Sequence, residues 1–345
     1  MSKPHRPPTG VRAVIALVIG AVSGFICHAT LVRRNVLAGD FTWTWRAARI
    51  LLEHHDPYRV IQATGGYPFD DRLNYPLPAA LVSLPFAPFP PVLAGALFVG
   101  ISAALLAWVA TREDYHWLPL FLSAPFLKVL LAPQWSPLLV AAALTPALQF
   151  LLVAKPNEGL AMFAYNPTWK GVVLGALLLL VSLLILPGWP VEWLHNLSRA
   201  PQYGAPAFFF LGPLLLLAAL RWRTPEGRML LAFALVPQRL LAYDQLGLWL
   251  IPRRWWSSLL FSVMSWPALV AWVSPPALGY PKSAVFELTD LLTMCCIYLP
   301  ALYMVLRRPL PDGRYLPFAV PRRRATNAAR ATPEVRSSSP DPVRR

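Results

Sequence analysis

The chain has 345 residues, of which 56% are hydrophobic and 14% are charged, and its formal net charge is +15. About a quarter of the residues in a soluble globular protein are charged, and the mean hydropathy here is +0.48, so the composition excludes that class. The positive charge does not indicate nucleic-acid binding, because many basic residues lie beside apolar segments or in the C-terminal tail, where they orient a membrane protein.

Apolar runs long enough to cross a bilayer recur along the chain, and in lipid their backbone must pair within helices. The sequence therefore predicts an all-α polytopic transmembrane bundle of roughly ten membrane segments. Residues 1–308 form this predicted domain, and its 38 prolines predict broken helices around a cavity. Residues 309–345 are predicted to be a disordered basic tail, which Arg307 and Arg308 place in the cytoplasm.

The first apolar segment, residues 11–32, is predicted to be a retained helix rather than a cleaved signal peptide, because more apolar segments follow it. Lys3, Arg6 and Arg12 predict a cytoplasmic N-terminus. The helix then runs outward, so the polar loop at residues 33–75 is predicted to lie outside. The Arg, Ala and Pro bias of the chain indicates a GC-rich bacterial genome, and we expect a bacterial plasma membrane.

A short amphipathic helix is predicted inside this loop, lying in the plane of the membrane interface. Its apolar face consists of Phe41, Trp45, Ala48 and Leu52. Its polar face, turned toward water or substrate, consists of Thr42, Arg46, Arg49 and Glu53. His54 and His55 follow the helix and do not indicate a metal site, because adjacent helical residues point about 100° apart.

Prolines break the next apolar stretch, residues 76–110, into either two short spanning helices or a partial dip into the membrane followed by one spanning helix. We prefer the second interpretation. This topology places Arg112 inside and Gln134 outside. A polar break divides residues 229–251 into two half-helices, and residues 187–206 form a second outer loop. Further spans are predicted at residues 118–132, 136–154, 171–186, 207–220, 257–273 and 288–306.

Asp40, at the start of the loop helix, is the leading catalytic candidate. As a general base it would accept a proton from a sugar hydroxyl that attacks an activated donor. Asp is also among the best N-cap residues, and the two roles are compatible.

Charged residues within or beside apolar segments are further candidates, because such charges are costly and usually functional. Lys128 and Lys155 would suit a lipid phosphate, although Lys155 could equally be a snorkelling residue at a helix end. Arg239 and Asp244, in the polar break, could bind substrate or form a structural ion pair.

Five short motifs follow one another in the first half of the chain: Gly39-Asp40-Phe41, Asp56-Pro57-Tyr58, Tyr75-Pro76-Leu77-Pro78, Gln134 and Lys155-Pro156. In their order and positions they resemble the polyprenol-phosphate-sugar-dependent glycosyltransferases of family 87, which belong to the GT-C fold class. The resemblance covers residues 11–170. It departs from the family pattern at Leu77, which separates the prolines of a Tyr-Pro-Pro motif, and at Pro133, which replaces the Gly before Gln.

The resemblance implies an inverting transfer of mannose or a related sugar from a polyprenyl phosphate to a lipid or glycan acceptor, with Asp40 as the base. It implies no nucleotide cofactor, and it leaves a divalent metal undetermined. The motif positions and the nearby charges together give the candidate substrate-binding residues: Arg46, Asp56, Tyr58, Tyr75, Gln134, Lys155 and Arg239.

Two other hypotheses fit the same composition. The first is a flippase or transporter of polyprenol-linked sugars, since broken helices and intramembrane charges occur in transporters. The second is a non-catalytic subunit of an envelope-assembly complex. The crowding of polar groups into an outer loop, together with the lack of a sequence repeat, favours the enzyme.

Overall fold

The computed structural model describes residues 6–63, 71–200, 203–238, 240, 244–273 and 282–308, and every regular element within these ranges is helical. The first α-helices are α1 (Thr9–Arg34), α2 (Gly39–Leu52), α3 (Pro57–Val60), α4 (Leu77–Ser83), α5 (Pro91–Ala110), α6 (Ala124–Leu131), α7 (Ser136–Ala143) and α8 (Pro156–Tyr165). The later ones are α9 (Trp169–Ile185), α10 (Trp189–Arg199), α11 (Pro225–Leu235), α12 (Trp255–Met264), α13 (Trp266–Val273), α14 (Lys282–Thr293) and α15 (Leu299–Leu306). The all-α prediction is confirmed for this part of the chain.

Four helical stretches within the described ranges are long and apolar enough to cross a membrane: α1, α5, Trp255–Val273 and Phe286–Leu306. The pair α9 and α10, bent by 96°, would add a fifth if the two helices form one span. The protein is therefore a helical membrane protein. The other predicted segments are shorter helical pieces, among them the 3₁₀ helices Leu118–Leu122, Pro146–Ala154, Gly212–Arg221 and Asp244–Leu250.

Prolines divide two of the predicted spans. Residues 136–154 are not one helix, because Pro146 holds Thr145 in an extended conformation with φ −131° and ψ 102°, which ends the helical run that began with α7. Residues 118–132 are likewise divided at Ser123, whose side chain caps α6. The break at Ser123 lies inside the packed structure, whereas the break at Thr145 is partly exposed.

The predicted outer loop at residues 187–206 is wrong in its first half, because residues there form α10. This helix folds back over the first loop. Trp193 Nε1 donates to the carbonyl oxygen of Asn74 at 2.9 Å, and Asn196 Nδ2 donates to that of Leu73 at 3.2 Å. The two predicted outer segments therefore lie together.

Two other broken segments are divided where the sequence predicts. Residues 76–110 form the short helix α4 and then the long helix α5, which is long and apolar enough for one span; the partial dip of the first part into the membrane stays a prediction. Residues 229–251 contain α11 and the 3₁₀ helix Asp244–Leu250 on either side of a break. The break brings the polar residue Asp244 into the interior.

Helices α1 and α5 are antiparallel and pack backbone against backbone. A Cβ atom on Gly20 would lie 2.8 Å from the carbonyl oxygen of Gly100, so a larger residue has no room there. Arg12, near the start of α1, donates to the carbonyl oxygen of Trp108 near the end of α5 at 2.8 Å. The start of α1 and the end of α5 therefore share one end of the molecule.

Arginines gather at this same end. The charges of Glu113, Arg253 and Arg308 all act on Tyr165, the last residue of α8. Because Glu113 follows α5 closely, these residues lie with Arg12. We call this the arginine end, and it lies opposite the end where α1 leads into α2.

Helix α2 forms where the sequence predicts it but is more deeply packed than an interfacial helix. Phe41, Trp45 and Ala48 are buried as expected. Leu52 of the predicted apolar face is exposed, and Thr42 of the predicted polar face is buried. The helix packs against α4 and α5. The exposed members of the predicted polar face are therefore Arg46, Arg49 and Glu53.

Candidate functional site

A buried lysine between two carboxylates lies at the centre of the candidate site. Lys155 is the extended residue between the 3₁₀ helix Pro146–Ala154 and α8, a conformation that the following proline favours. Its Nζ atom pairs with Asp244 Oδ1, and it lies 3.5 Å from Glu158 Oε2. Exposed side-chain fractions are 8% for Lys155, 6% for Asp244 and 0% for Glu158, so the group is removed from solvent.

Two local features of the chain bring these three residues together. Glu158 is in the first turn of α8, where the partial positive charge of a helix N-terminus favours a carboxylate. Asp244 opens the 3₁₀ helix that follows the polar break. Asp244 therefore pairs with Lys155, whereas Arg239, its predicted partner, lies outside the described residues.

Asp40 borders this group. It is the second residue of α2, and Ala38 is the N-cap, so the expected N-cap role is wrong. Its half-buried side chain accepts a hydrogen bond from Tyr75 Oη, with 3.3 Å between Oη and Oδ2. The charge of Asp40 also acts on both Lys155 and Asp244. The predicted base and the predicted lysine therefore belong to one site.

Trp135 and the next residue, Ser136, link Tyr75 and Asp40 to Glu158. The ring centroid of Trp135 lies 6.3 Å from that of Tyr75 and 5.1 Å from that of Phe98. Ser136 donates from Oγ to Glu158 Oε2 at 3.4 Å. A series of contacts and chain neighbours thus runs from Asp40 through Tyr75, Trp135, Ser136 and Glu158 to Lys155, on which the charge of Asp40 acts in turn. We call this series the Asp40–Lys155 ring.

Lys128 lies at the edge of the same group. It is buried, its Nζ lies 4.2 Å from the centre of the Trp272 ring, and the charges of Asp244 and Asp290 act on it. Both lysines that were predicted to bind a lipid phosphate are therefore already compensated by carboxylates. By formal charge, the carboxyl groups of the site outnumber its two lysines.

Tyr58, which is itself held by Asp56, fixes the position of Tyr75. Asp56 caps α3 by accepting from the Tyr58 backbone N–H at 2.9 Å. Tyr58 Oη donates to the carbonyl oxygen of Tyr75 at 2.9 Å. Burial, with a smaller contribution from Asp56, raises the pKa of Tyr58, so its hydroxyl keeps its proton and this hydrogen bond. Both residues therefore hold Tyr75 in place rather than line the ring.

The remaining candidates lie in different surroundings. Gln134 is buried directly before Trp135, beside the Asp40–Lys155 ring. Arg46 is exposed on α2. His54 and His55 are exposed, and within the described ranges no group of three or more His, Cys, Asp or Glu side chains could hold a metal ion.

Sequence reasoning missed Glu158, Ser136 and Trp135 as members of the site. Glu158 had a usable signal, because it follows Lys155 by three residues across the start of a helix, and that spacing brings two side chains together. Ser136 and Trp135 had none, since their place depends on the packing of α7 against α8.

The chain was compared with known proteins, and no family model, curated protein or solved structure matched it. Its function is therefore inferred from the residues of the site.

Proposed function

We propose that the protein is a membrane glycosyltransferase of the GT-C type that moves a hexose, in the first instance mannose, from a polyprenyl-phosphate-linked donor to a lipid or glycan acceptor. The proposal places the Asp40 end on the outer face of a bacterial plasma membrane. The observation that carries it is the meeting of Asp40, Tyr75, Trp135 and Lys155, which come from separate motifs of the family-87 resemblance or directly follow one. Positions that the resemblance marks out are thus neighbours in space.

In this mechanism the acceptor hydroxyl attacks the anomeric carbon on the face opposite the phosphate. A carbon–oxygen bond to the acceptor forms while the bond to the phosphate oxygen breaks, and its electron pair leaves with the phosphate. Asp40 takes the hydroxyl proton. Because Lys155 is held by Asp244 and Glu158, we assign the leaving phosphate to a more exposed cation, with Arg46 as the first candidate.

The test is transfer by the Asp40→Asn variant in lipid nanodiscs, with polyprenyl-phosphate mannose as donor. Removing a general base lowers turnover by about 10²–10⁴-fold, while donor binding is expected to change by less than about two-fold because the amide has the size of the carboxyl group. Glu53→Gln, which removes an exposed carboxyl at the end of the same helix, is the control and should keep wild-type turnover. Equal turnover in both variants would remove the base from the proposal.

A transporter of polyprenol-linked sugars is the second candidate, and one observation favours it. Lys128, Lys155, Glu158 and Asp244 are all buried among apolar helices, whereas the sequence pattern placed most polar groups in the outer loop. Buried charges beside broken helices are typical of transport pathways. Flux of labelled donor across proteoliposomes separates the two: a transporter moves the lipid without any acceptor, and an enzyme does not.

A further inference from the structure

Three buried polar atoms next to the Asp40–Lys155 ring have no hydrogen-bond partner. They are Gln134 Oε1, Trp135 Nε1 and Glu158 Oε1, and all three side chains are more than nine-tenths buried. Leaving a buried polar atom unpaired is costly, so such atoms in a native protein usually have a function or a bound partner.

The three atoms belong to one neighbourhood. Gln134 and Trp135 are consecutive residues, and Ser136 joins them to Glu158 through its hydrogen bond. Trp135 also lies beside Tyr75, which donates to Asp40. The unpartnered atoms are therefore grouped at the place where the proposed base is held.

Their chemistry matches hydroxyl groups. Gln134 Oε1 and Glu158 Oε1 accept hydrogen bonds, and Trp135 Nε1 donates one. A sugar hydroxyl both donates and accepts, so hydroxyl groups can pair with each of the three atoms. A phosphate oxygen at neutral pH only accepts, and it would be repelled by the two acceptors.

The formal charge balance disfavours an anionic ligand here. Asp40, Glu158 and Asp244 face Lys155 and Lys128, and Asp290 adds a further negative charge beside Lys128. The carboxyl groups outnumber the lysines. A carboxylate on the sugar would add a like charge in a poorly solvated site, where like charges repel strongly.

We propose that Gln134, Trp135 and Glu158 form the subsite that holds the hydroxyl groups of an uncharged hexose, and that Glu158 selects such a sugar against a uronic acid. This inference rests on the proposed function, since it assumes that the sugar arrives on a lipid phosphate. The sugar and the phosphate are then recognised by different residues: the sugar by buried hydrogen-bonding groups, and the phosphate by an exposed cation.

The test is a binding measurement with three lipids in nanodiscs: polyprenyl-phosphate mannose, polyprenyl-phosphate glucuronic acid and polyprenyl phosphate alone. The wild-type protein should bind the mannose lipid at least about ten-fold more tightly than either of the others, as expected of a site built to pair with hydroxyl groups. Equal affinity for all three lipids, or no binding of any, overturns the inference.

Two variants assign the selectivity to residues. Glu158→Gln should lower the affinity for the mannose lipid by about five- to ten-fold. The affinity for unglycosylated polyprenyl phosphate should change by less than about two-fold. Glu113→Gln, at an exposed position, is the matched control and should behave as wild type. If Glu158→Gln lowers the affinity for all three lipids equally, Glu158 has only a structural role and the inference fails.

Trp135→Phe provides a variant that keeps the ring contacts with Tyr75 and Phe98 but removes the N–H group. This variant should also lower the affinity for the mannose lipid more than the affinity for polyprenyl phosphate alone. An unchanged ratio of these two affinities contradicts the proposal. Failure of the proposed function is a separate result. In that case the mannose lipid still binds selectively, but Asp40→Asn does not slow transfer.

Discussion

Two ion clusters, each built around a buried charge, lie at opposite ends of this molecule and have opposite compositions. At the Asp40 end, one lysine, Lys155, is held by two carboxylates. At the arginine end, one carboxylate, Glu226, is held by Arg253 at 3.1 Å and by Arg308. The first cluster is closed to solvent, whereas Arg253 is 66% exposed.

The two clusters differ in what their charged groups contact. At the arginine end, the guanidinium groups also bind backbone: Arg308 donates to the carbonyl oxygen of Ile251, and Arg221 donates to that of Leu306 at 3.0 Å. That cluster ties helix ends together. Unpartnered buried polar atoms occur in both clusters, among them Glu226 Oε2 and Glu158 Oε1. The Lys155 cluster differs because it borders the half-buried carboxyl group of Asp40, to which we assign the chemistry in the proposed function.

The largest effect is expected from Lys155→Met, which leaves Asp244 and Glu158 buried without their cation. Removing one partner from a buried ion pair costs about 3–5 kcal/mol, and we expect this loss in thermal unfolding measured in nanodiscs, together with loss of transfer. Lys170→Met, at an exposed position, is the control. A stability within about 1 kcal/mol of wild type would contradict the buried pairing.

A smaller effect is expected from Glu226→Gln at the arginine end. Gln keeps the shape but loses the charge that holds Arg253 and Arg308, at a cost of about 1–3 kcal/mol. Because this cluster is structural, the rate of transfer by the folded variant should stay within about two-fold of wild type. A selective loss of transfer with unchanged stability would show that the two ends do not divide their roles in this way.

The smallest effect is expected from Tyr75→Phe, which removes the hydroxyl that donates to Asp40 and keeps the ring beside Trp135. One hydrogen bond contributes about 0.5–1.5 kcal/mol, so transfer should slow by no more than about ten-fold. Tyr303→Phe removes an exposed hydroxyl that binds Arg307 and is the control. If both variants slow transfer equally, Tyr75 does not position Asp40.

The sequence predicts the parts of the fold that follow from local pattern. Continuous apolar runs gave α1, α5 and α9, and the polar break in residues 229–251 was visible as a run of polar residues. The same rules failed at residues 118–132 and 136–154, because apolar composition does not report how strongly a single proline ends a helix. Helix α10 was missed because its polar residues resemble a loop, and its packing over the first loop is a tertiary contact.

The candidate site was predictable only in part. Asp40 and Lys155 stand out as charges beside apolar segments, and each was identified from its own surroundings. Their meeting, and the pairing of Lys155 with Asp244, join residues far apart in the chain and depend on how α8 and the 3₁₀ helix Asp244–Leu250 pack. Spacing along the chain contains no information about such a contact.

The most direct test of the central claim is a transfer reaction with purified wild-type protein and Asp40→Asn in nanodiscs, using polyprenyl-phosphate mannose labelled in the sugar. The account predicts that wild type forms a mannosylated product with inverted anomeric configuration, and that Asp40→Asn forms about 10²-fold less or lower still. A product of retained configuration, or equal yields from the two proteins, would contradict it.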